Sequence, residues 1–444
     1  MKTSITLKVA ALLAEDEFSL DELVIKTKAL FDREGLAGFV GVVLELVDAQ
    51  LCQGLTHQTG DWRRTPCCEQ PTYELDRRVD RRLRTSVGTV HLTWRRLRCT
   101  HCGRSFLPLR EFLGLDRYQS KSNELARVVT EVVSEQNYRR ATRHLDLIGL
   151  IPVPKSTAHR WVSTSDCDAI KPHDQPLDAL LADGTGYKRR PNAKAGLDNQ
   201  GEVRIALGLT PKGTVVPMGA WSGKSWTEIG QAIAPSTPDQ KPITPVLVSD
   251  GEPGLAEGLA HLVNGQQRCQ WHQVHDLDQV MLRDQAAKDE RREMQHRLNG
   301  IIGIELPKQD FRVVSEADKV GIAQTTDAAE QKLDALVNEL VSKGYWQAAT
   351  YIRQAKDKLF TYVRLWLELG IVTPRVTSQI ERMMREIGRR LKRIAFGWSE
   401  AGAAQMTRII IKRITSAGEW EAYWLKKLRI SGKVKLVYLG AQVV

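Results

Sequence analysis

The sequence predicts a multidomain α+β protein, because its texture changes several times along 444 residues. Residues 5–50, 117–165 and 273–370 carry apolar side chains at three- and four-residue intervals, which indicates helices. Residues 61–110 are rich in Arg and Cys and alternate like a strand in "VGTVHLTWRRLRC". Residues 176–270 contain short apolar runs between turn signals such as "NQG" and "PKG", which indicates an α/β segment.

These changes divide the chain into six predicted regions. They are an N-terminal helical region (1–60), a Cys/Arg-rich, zinc-ribbon-like module (61–112), a helix-turn-helix region (113–172), the first part of an α/β core (176–272), a helical insertion (273–370), and a core helix with the C-terminal region (371–444). Pro172 and Pro176, in "KPHDQP", mark the predicted linker before the core.

The charge balance favours a polyanionic partner. The formal net charge is +11, which suits nucleic acid or an anionic membrane surface. We find no apolar run long enough to span a bilayer, so we expect DNA and no membrane. The seven cysteines are an odd number, which favours a cytoplasmic protein with reduced thiols, some of them metal-bound, over a disulfide scaffold.

Two aspartates are predicted to end buried strands. Asp183 closes "ALLAD" and Asp250 closes "PVLVSD". Strand ends at one edge of a sheet lie side by side, so both carboxylates could hold Mg²⁺, which prefers oxygen ligands. The alternative is that each Asp before Gly is simply a turn residue.

A third carboxylate is predicted on the basic helix "TSQIERMMREIGRRLKRI". Glu381 is the candidate and Glu386 is its main rival. Arg382, Arg385 and Arg389 follow helical spacing on a second face and are candidates for DNA contact. The alternative is a solvated helix with intrahelical Glu–Arg pairs, which contribute little stability.

A zinc module is predicted around "RCTHCGRSF". Cys99 and Cys102 have the spacing of a zinc knuckle, and the adjacent Cys67 and Cys68 would complete four ligands. Adjacent cysteines can strain a tetrahedral site, which leaves three alternatives for a ligand: Cys52, His57 or His101. A metal-free hairpin is the other interpretation. Interleaved arginines in this module suit phosphate contacts: Arg77, Arg78, Arg81, Arg82, Arg84, Arg95, Arg96 and Arg98.

The segment "NYRRATRHLDLIGLIPVPKSTAHRWV" predicts a helix, a turn and a second helix. Ser156 is the predicted N-cap of the second helix. Thr157, His159 and Arg160 would enter the major groove if this is a DNA-binding helix-turn-helix. Many two-helix hairpins bind no DNA, so that alternative stays open.

The stretch "GAWSGKSW" looks like a phosphate-binding loop but is one residue too short, since Met218 stands where the pattern needs Gly. Lys224 remains a candidate phosphate contact, as does Lys188 in "ADGTGYKRR". Trp226 and Trp271 are either core residues or platforms for an unpaired base.

Together, these motifs resemble the DDE transposases with an RNase H-like core. A strand with Asp183, a second strand with Asp250 followed by a helix, then Cys269-x-x-His272, a helical insertion and Glu381 follow the order of that superfamily. The Cys-x-x-His element is similar to the C/D-x-x-H signature of the Mutator-like and hAT-like groups. "CCEQ…CTHCGRSFLPL", "ADGTGYKRR", "SDGEPGL" and "RCQWH" resemble the ISKra-type bacterial insertion-sequence transposases.

The resemblance implies a chemistry. Asp183, Asp250 and Glu381 would hold two Mg²⁺ ions, with Mn²⁺ able to substitute. Water would cut a phosphodiester at a terminal inverted repeat, and the freed 3′-OH would attack target DNA. We expect a homodimer or higher oligomer on DNA, in the nucleoid of a bacterial cytoplasm. In this context the stretch 268–277 is predicted to be a strand, with Cys269 and His272 organising the core without binding metal.

Two other functions remain open from the sequence. One is a DNA-binding transcriptional regulator that uses the zinc module and the helix-turn-helix. The other is a structure-specific nuclease on the same core. A regulator has no need for Asp183, Asp250 and Glu381 to converge, and a nuclease would cleave without joining ends.

Overall fold

The computed structural model describes residues 19–59, 62, 64–148, 152–171, 176–191, 196, 198–234, 242–394, 396–430 and 434. It confirms a multidomain α+β chain with two compact units. One unit comprises Met1–Ser165 with Tyr423–Val444, and the other comprises Asp166–Ala422. The predicted linker at 172–175 and the segment before residue 19 lie outside the described residues.

The first unit begins with two helices and a small antiparallel sheet. Its elements are α1 (Leu20–Leu30), a π-helical turn (Phe31–Gly35), α2 (Leu36–Thr56), β1 (Tyr73–Thr85), β2 (Gly88–Cys99), β3 (Ser105–Phe106) and α3 (Pro108–Leu113). The strand order is β1-β2-β3. Val90, Leu92 and Trp94 alternate along β2 and are buried against α2 and α3, which is the two-residue period of a half-buried strand.

Helix α2 has the length and apolar composition of a membrane span, and it is the one helix in the described part of the chain that does. The sequence prediction that no apolar run is long enough was therefore wrong. The contacts of α2 are those of a core helix: it packs on β2, and its Asp48, 1% exposed, accepts hydrogen bonds from the backbone and side chain of Arg95. A core helix passes the same length and composition test, so the test alone is weak support for a membrane.

Three short helices follow in the first unit and pack on one another. They are α4 (Asn123–Glu135), α5 (Tyr138–Leu147) and α6 (Lys155–Ser163). Helices α5 and α6 correspond to the two predicted helices, and residues 149–151 between them lie outside the described residues. Helix α6 begins one residue before Ser156, and Pro154 occupies the N-cap position. The N-cap prediction was therefore wrong, because proline has a fixed φ and no N–H and so fits the start of a helix.

The second unit is built on a mixed five-stranded sheet of order β6-β5-β4-β7-β8. Its strands are β4 (Ala179–Lys188), β5 (Gln200–Leu209), β6 (Val215–Ser222), β7 (Thr244–Ser249) and β8 (Val263–Arg268). Strand β5 pairs antiparallel with both β4 and β6, whereas β7 is parallel to β4 and β8 is parallel to β7. All four strands predicted in this segment are present.

Helices α7 (Trp226–Ile233) and α8 (Leu255–Leu259) pack on the sheet through an apolar cluster that includes Leu180, Ala182 and Leu247. Successive strand residues point to opposite faces, so Leu181 and Asp183 point away from that cluster. Helices α14 (Ser378–Leu391) and α15 (Glu400–Thr415) contact β4, β5 and β6. Helix α16 (Ala417–Leu428) ends the described helices.

The predicted helical insertion forms a layer with its own core between β8 and α14. Its helices are α9 (Gln270–Arg283), α10 (Lys288–Ile302), α11 (Glu316–Ser342), α12 (Trp346–Ala355) and α13 (Thr361–Leu369). Buried Gln267 of β8 and Gln270 of α9 both donate to the Leu359 carbonyl, at 3.1 and 3.0 Å. These bonds connect the helical layer to the sheet, since buried amides need partners.

Two local predictions in this unit were wrong. Asp183 does not end its strand, because β4 continues to Lys188 through antiparallel pairing with β5. The stretch 268–277 is not a strand: β8 ends at Arg268, Cys269 is the N-cap of α9, and His272 lies in the first turn of that helix.

Candidate functional site

Asp183 and Asp250 lie at the edge where the parallel strands end. The parallel pairing of β4 with β7 stops at Leu181 and Val248, and Asp250 directly follows β7. Beyond that point the two side chains are close enough that the charge of Asp250 raises the pKa of Asp183. The carboxyl edge of parallel strands is where ligands bind in such sheets.

The ionised form of Asp183 is disfavoured in the metal-free protein. Burial, and then the negative charge of Asp250, raises the pKa of its carboxyl to about 7. The Gly184 amide, which donates to Asp183 Oδ1 at 2.7 Å, lowers the pKa but does not offset those effects. A divalent cation would relieve this charge, because an opposite charge favours the ionised form.

Two further carboxylates, Glu202 and Glu252, lie beside these aspartates. A Cβ at Gly184 would stand 2.5 Å from Glu202 Oε1 and 3.2 Å from Glu252 Oε2, so glycine there makes room for the cluster. Glu252 accepts hydrogen bonds from Trp226 Nε1 at 2.9 Å and from Arg204 at 3.3 Å. Trp226 is therefore a buried anchor, and its position leaves no ring face for a base. Sequence reasoning missed Glu252, although "DGEPGL" places it two residues after Asp250.

Glu381 lies in the first turn of α14, and Thr377 connects it to the Cys-x-x-His element. The buried Thr377 hydroxyl lies 3.0 Å from Glu381 Oε1, 3.2 Å from Cys269 Sγ and 3.5 Å from His272 Nδ1. A hydroxyl has one proton and two lone pairs, so it can serve donors and acceptors together. Sequence reasoning did not single out Thr377, whose only signal is its place four residues before Glu381.

Cys269 and His272 behave as a coupled acid–base pair. Burial lowers the pKa of His272, but Cys269 and the charges of Asp250 and Glu381 outweigh it and raise the pKa to about 8. Burial raises the pKa of Cys269, but hydrogen bonds from His272 and Thr377 lower it overall. His272 Nδ1 is 3.8 Å from Glu381 Oε1, and the charges of both Asp250 and Glu381 act on the imidazole.

The three predicted acidic residues are only partly brought together. Within the described residues, the ligand atoms of Asp183, Asp250 and Glu381 do not all lie within 4.8 Å of one another. Glu381 instead forms such a group with Cys269 and His272. The rival Glu386 bonds Arg389 at 2.9 Å.

The predicted DNA-contacting side chains have different surroundings. Arg382, Arg385 and Arg389 are exposed on α14, and Lys188 is exposed at the end of β4. Lys224 is exposed but forms an ion pair with Glu228 at 2.7 Å, within the capping box of α7. On α6, His159 and Arg160 are exposed and Thr157 is half-buried.

Trp271 is half exposed on α9, next to the Cys-x-x-His element. Its ring stacks on His275 at 4.7 Å and meets His272 edge-on at 4.8 Å. A core position for Trp271 is therefore wrong.

The four cysteines of the zinc-ribbon-like module form one cluster. All four sulfurs, of Cys67, Cys68, Cys99 and Cys102, lie within 4.8 Å of one another, and none is in a disulfide. Three of the sulfur–sulfur distances are 3.4 Å for Cys102–Cys67, 3.7 Å for Cys68–Cys99 and 4.0 Å for Cys67–Cys68. Four thiolates around a tetrahedral zinc stand about 3.8 Å apart, so the donor set fits zinc. Cys52 is buried in α2 outside this group.

Backbone geometry prepares Cys99 for a metal. Hydrogen bonds from the Cys102 and His101 amides lower the pKa of the Cys99 thiol to about 6. Gly103, at φ +73°, closes the knuckle with an N–H bond to the Cys99 carbonyl at 2.9 Å. A positive φ of this size favours glycine.

The arginines of the β1–β2 hairpin place like charges opposite one another. Arg77 pairs with Arg96 and Arg78 with Arg95 across the two strands. Like charges in directly opposed positions destabilise a sheet. Carboxylates of the protein offset part of this repulsion, because Arg95 pairs with Asp48 and Arg96 pairs with Asp76, whereas Arg77 and Arg78 are exposed.

Comparisons with known proteins give little. No protein-family model matches the chain, and no curated protein matches it. Among solved structures, the Drosophila P element transposase strand transfer complex matches with a TM-score of 0.26 and 14% sequence identity, covering 72% of this chain and 84% of that one. A likeness at this level carries no argument, so the function rests on the site itself.

Replacing Asp183 with Asn should stabilise the metal-free protein at neutral and higher pH. The folded-state pKa of about 7 exceeds the ordinary 3.8, so the folded state holds the extra proton between these values. The free energy of unfolding in EDTA should therefore fall as pH rises from about 4 to 7, by roughly 1–3 kcal/mol. Asp183→Asn should remove that slope, and Mg²⁺ should restore stability to the wild type alone.

Urea unfolding at pH 5 and pH 8 measures this. Asp327→Asn, on an exposed turn of α11, is the control and should leave the pH slope unchanged. An unchanged slope in Asp183→Asn would contradict the assignment of the buried proton.

Replacing Thr377 with Val should destabilise the second unit by about 1–3 kcal/mol, because it removes the buried hydroxyl that bonds both Glu381 and Cys269. Thr377→Ser should lose less. The matched control is Thr407→Val: this buried hydroxyl bonds the Ala403 carbonyl one helical turn back, at 2.8 Å, so its loss should cost little. Equal losses at positions 377 and 407, measured by urea unfolding, would show that Thr377 is not the connecting residue.

Proposed function

We propose that the chain is a DDE-type DNA transposase, which cuts phosphodiesters at transposon ends and joins the freed ends to target DNA. The observation that supports the proposal is the pair Asp183 and Asp250 at the carboxyl edge of the parallel strands. Glu381 of α14 is held by Thr377, and we propose that it joins this pair when metal binds. The three antiparallel strands followed by two parallel ones also support an RNase H-like core.

The residues fit Mg²⁺ or Mn²⁺. Asp183 offers oxygen ligands. Burial and the charge of Asp250 favour the protonated form of its carboxyl, and a bound cation would replace that proton. Asp183, Asp250 and Glu381 would hold the ions, whereas the nearby Cys269 is a soft ligand that Mg²⁺ does not favour. When bound, two such ions activate a water and stabilise the leaving oxygen of a phosphodiester.

The protein's own groups then have defined tasks. Asp183 gives up its proton, Thr377 fixes the Glu381 carboxylate, and His272, on which the charges of Asp250 and Glu381 act, has a pKa of about 8. A protonated His272 would offset part of the negative charge while the site is metal-free. We propose that Cys269 and His272 act in this organising role without binding the catalytic ions.

Basic surfaces on both units support a DNA substrate. The exposed Arg77 and Arg78 of the β1–β2 hairpin, and the exposed Arg382 and Arg385 of α14, present guanidinium groups suited to phosphates. We propose that α6 enters the major groove of a terminal inverted repeat through His159 and Arg160. Two ends must meet for joining, so we propose at least a homodimer on DNA, in a bacterial cytoplasm.

We propose that Cys67, Cys68, Cys99 and Cys102 bind one structural zinc, and purified protein should carry about one zinc per chain by atomic emission. Cys99→Ser should lose the metal, because it removes the ligand whose pKa is lowest. It should also lower the melting temperature of the first unit.

Cys52→Ala is the control, since Cys52 lies in the same unit but outside the cluster, and it should keep the zinc. Zinc retained in Cys99→Ser, or absent from the wild type, would count against this site.

Asp250→Asn and Glu381→Gln should each lower cleavage and joining by at least about 10³-fold, because each removes several kcal/mol of metal-borne stabilisation. Glu386→Gln is the matched control on the same helix and should stay within about tenfold of wild type. The substrates are duplexes carrying the DNA that flanks the gene, assayed with Mg²⁺ or Mn²⁺.

The outcomes separate the candidate functions. Full activity in Asp250→Asn would overturn the site. Cleavage without joining would indicate a nuclease, and DNA binding without cleavage in any metal would indicate a regulator. A stronger loss in Glu386→Gln than in Glu381→Gln would exchange the roles of the two glutamates.

A further inference from the structure

We propose that Arg268 binds a phosphate group of the DNA backbone beside Asp183 and Asp250; this inference rests on the proposed function. Arg268 is the last residue of β8 and pairs in register with Ser249, the last residue of β7. Asp250 follows Ser249, and the Cys269 amide donates to the Ser249 carbonyl at 2.8 Å. Arg268 and Asp250 are therefore neighbours at one edge of the sheet.

The guanidinium of Arg268 lies across the backbone of Gly251. The backbone at Gly251 has φ +86°, a conformation that favours glycine. Without a Cβ at this position, the guanidinium can lie against the backbone that follows Asp250.

Neutral groups hold this guanidinium. Its Nε donates to Gln273 Oε1 at 3.1 Å, one terminal nitrogen donates to the Tyr351 hydroxyl at 3.2 Å, and the guanidinium carbon lies 5.6 Å from the centre of the Tyr351 ring. Tyr351 donates in turn to the His272 carbonyl at 3.3 Å. The side chain is thus fixed by α9, which carries the Cys-x-x-His element, and by Tyr351 of α12.

Arg268 is half-buried without a carboxylate partner. In the described part of the chain, no carboxylate oxygen lies within 4.0 Å of its side-chain nitrogens. Two other half-buried arginines of this unit do have such a partner: Arg204 pairs with Glu202, and Arg408 pairs with Asp168. A partly desolvated cation without an anion is costly, unless an anion from outside completes it.

A phosphodiester oxygen is the anion that fits this place. The guanidinium has five donors, of which two are used by Gln273 and Tyr351, so donors remain for phosphate oxygens. If a carboxylate of the protein were paired with Arg268, it would occupy the remaining donors permanently. Because no carboxylate of the described residues does so, a phosphate can form a charged contact next to the two aspartates.

The test combines a protein change with a change in the DNA. Arg268→Gln should slow cleavage of flanking-end duplexes with Mg²⁺ by about 10- to 100-fold, the usual loss of a charge-assisted contact. A neutral methylphosphonate at the cleaved position or at an adjacent phosphate should slow the wild type similarly. At the phosphate that Arg268 contacts, Arg268→Gln combined with the methylphosphonate should slow cleavage no more than either change alone.

Control variants exclude a merely structural role. Arg312→Gln removes an exposed guanidinium that is paired with Asp310, and it should leave the cleavage rate within twofold of wild type. Arg268→Lys keeps the charge but not the fork of donors, so it should lie between wild type and Arg268→Gln. Urea unfolding monitors folding of every variant, and a folded Arg268→Lys keeps the test valid if Arg268→Gln unfolds.

Each result decides between the proposals. If the wild type cleaves and folded Arg268→Gln keeps full activity, the phosphate contact is overturned. It is also overturned if the losses from Arg268→Gln and from the methylphosphonate multiply at every phosphate tested. In both cases the transposase proposal stands. If no flanking DNA is cleaved, affinity for a plain 20-base-pair duplex in Ca²⁺ is measured instead. A tenfold loss of duplex affinity in Arg268→Gln but not in Arg312→Gln would then support the phosphate contact without the transposase. Unchanged affinity in Arg268→Gln would overturn the phosphate contact.

Discussion

The parallel pairing of β4, β7 and β8 is the constraint on which the site depends. It aligns the carboxyl ends of three strands, so Asp183, Asp250 and Arg268 share one edge although they are far apart in sequence. The apolar cluster under α7 and α8 fixes the register, because a slip of β4 by one residue would turn Asp183 into that cluster and Leu180 and Ala182 out of it. Packing on one face of the sheet therefore determines the chemistry available on the other.

Charge balance explains the arrangement around that edge. Asp183 and Asp250 repel each other, and Glu202 and Glu252 add negative charge nearby, of which Arg204 neutralises part. His272, with its pKa raised to about 8, and Arg268, without a carboxylate, supply positive charge from α9 and β8. Such a concentration of negative charge is unfavourable without a cation, and it would suit the divalent ions and the phosphodiester that we propose as its ligands.

Much of the fold could be predicted from the sequence, and the details of the site only in part. Apolar runs and turn signals indicated the four strands and the helical insertion, since burial imposes their periods. The end of β4 could not be predicted, because pairing with β5 extends the strand past Asp183. Arg268, Glu252 and Thr377 were missed because their significance lies in contacts between distant segments, which no local spacing records. The adjacency of Cys67 and Cys68 looked unfavourable, yet the turn places both sulfurs in the cluster.

The central claim is that Asp183 and Asp250 bind a divalent cation with Glu381. A crystal structure with Mn²⁺, read from its anomalous scattering, tests this most directly. We expect a peak within coordination distance of both aspartates, with Glu381 turned towards it or towards a second peak. A peak held by Cys269, His272 and Glu381, with none at the aspartates, would contradict the account, because those three residues form the alternative ligand group.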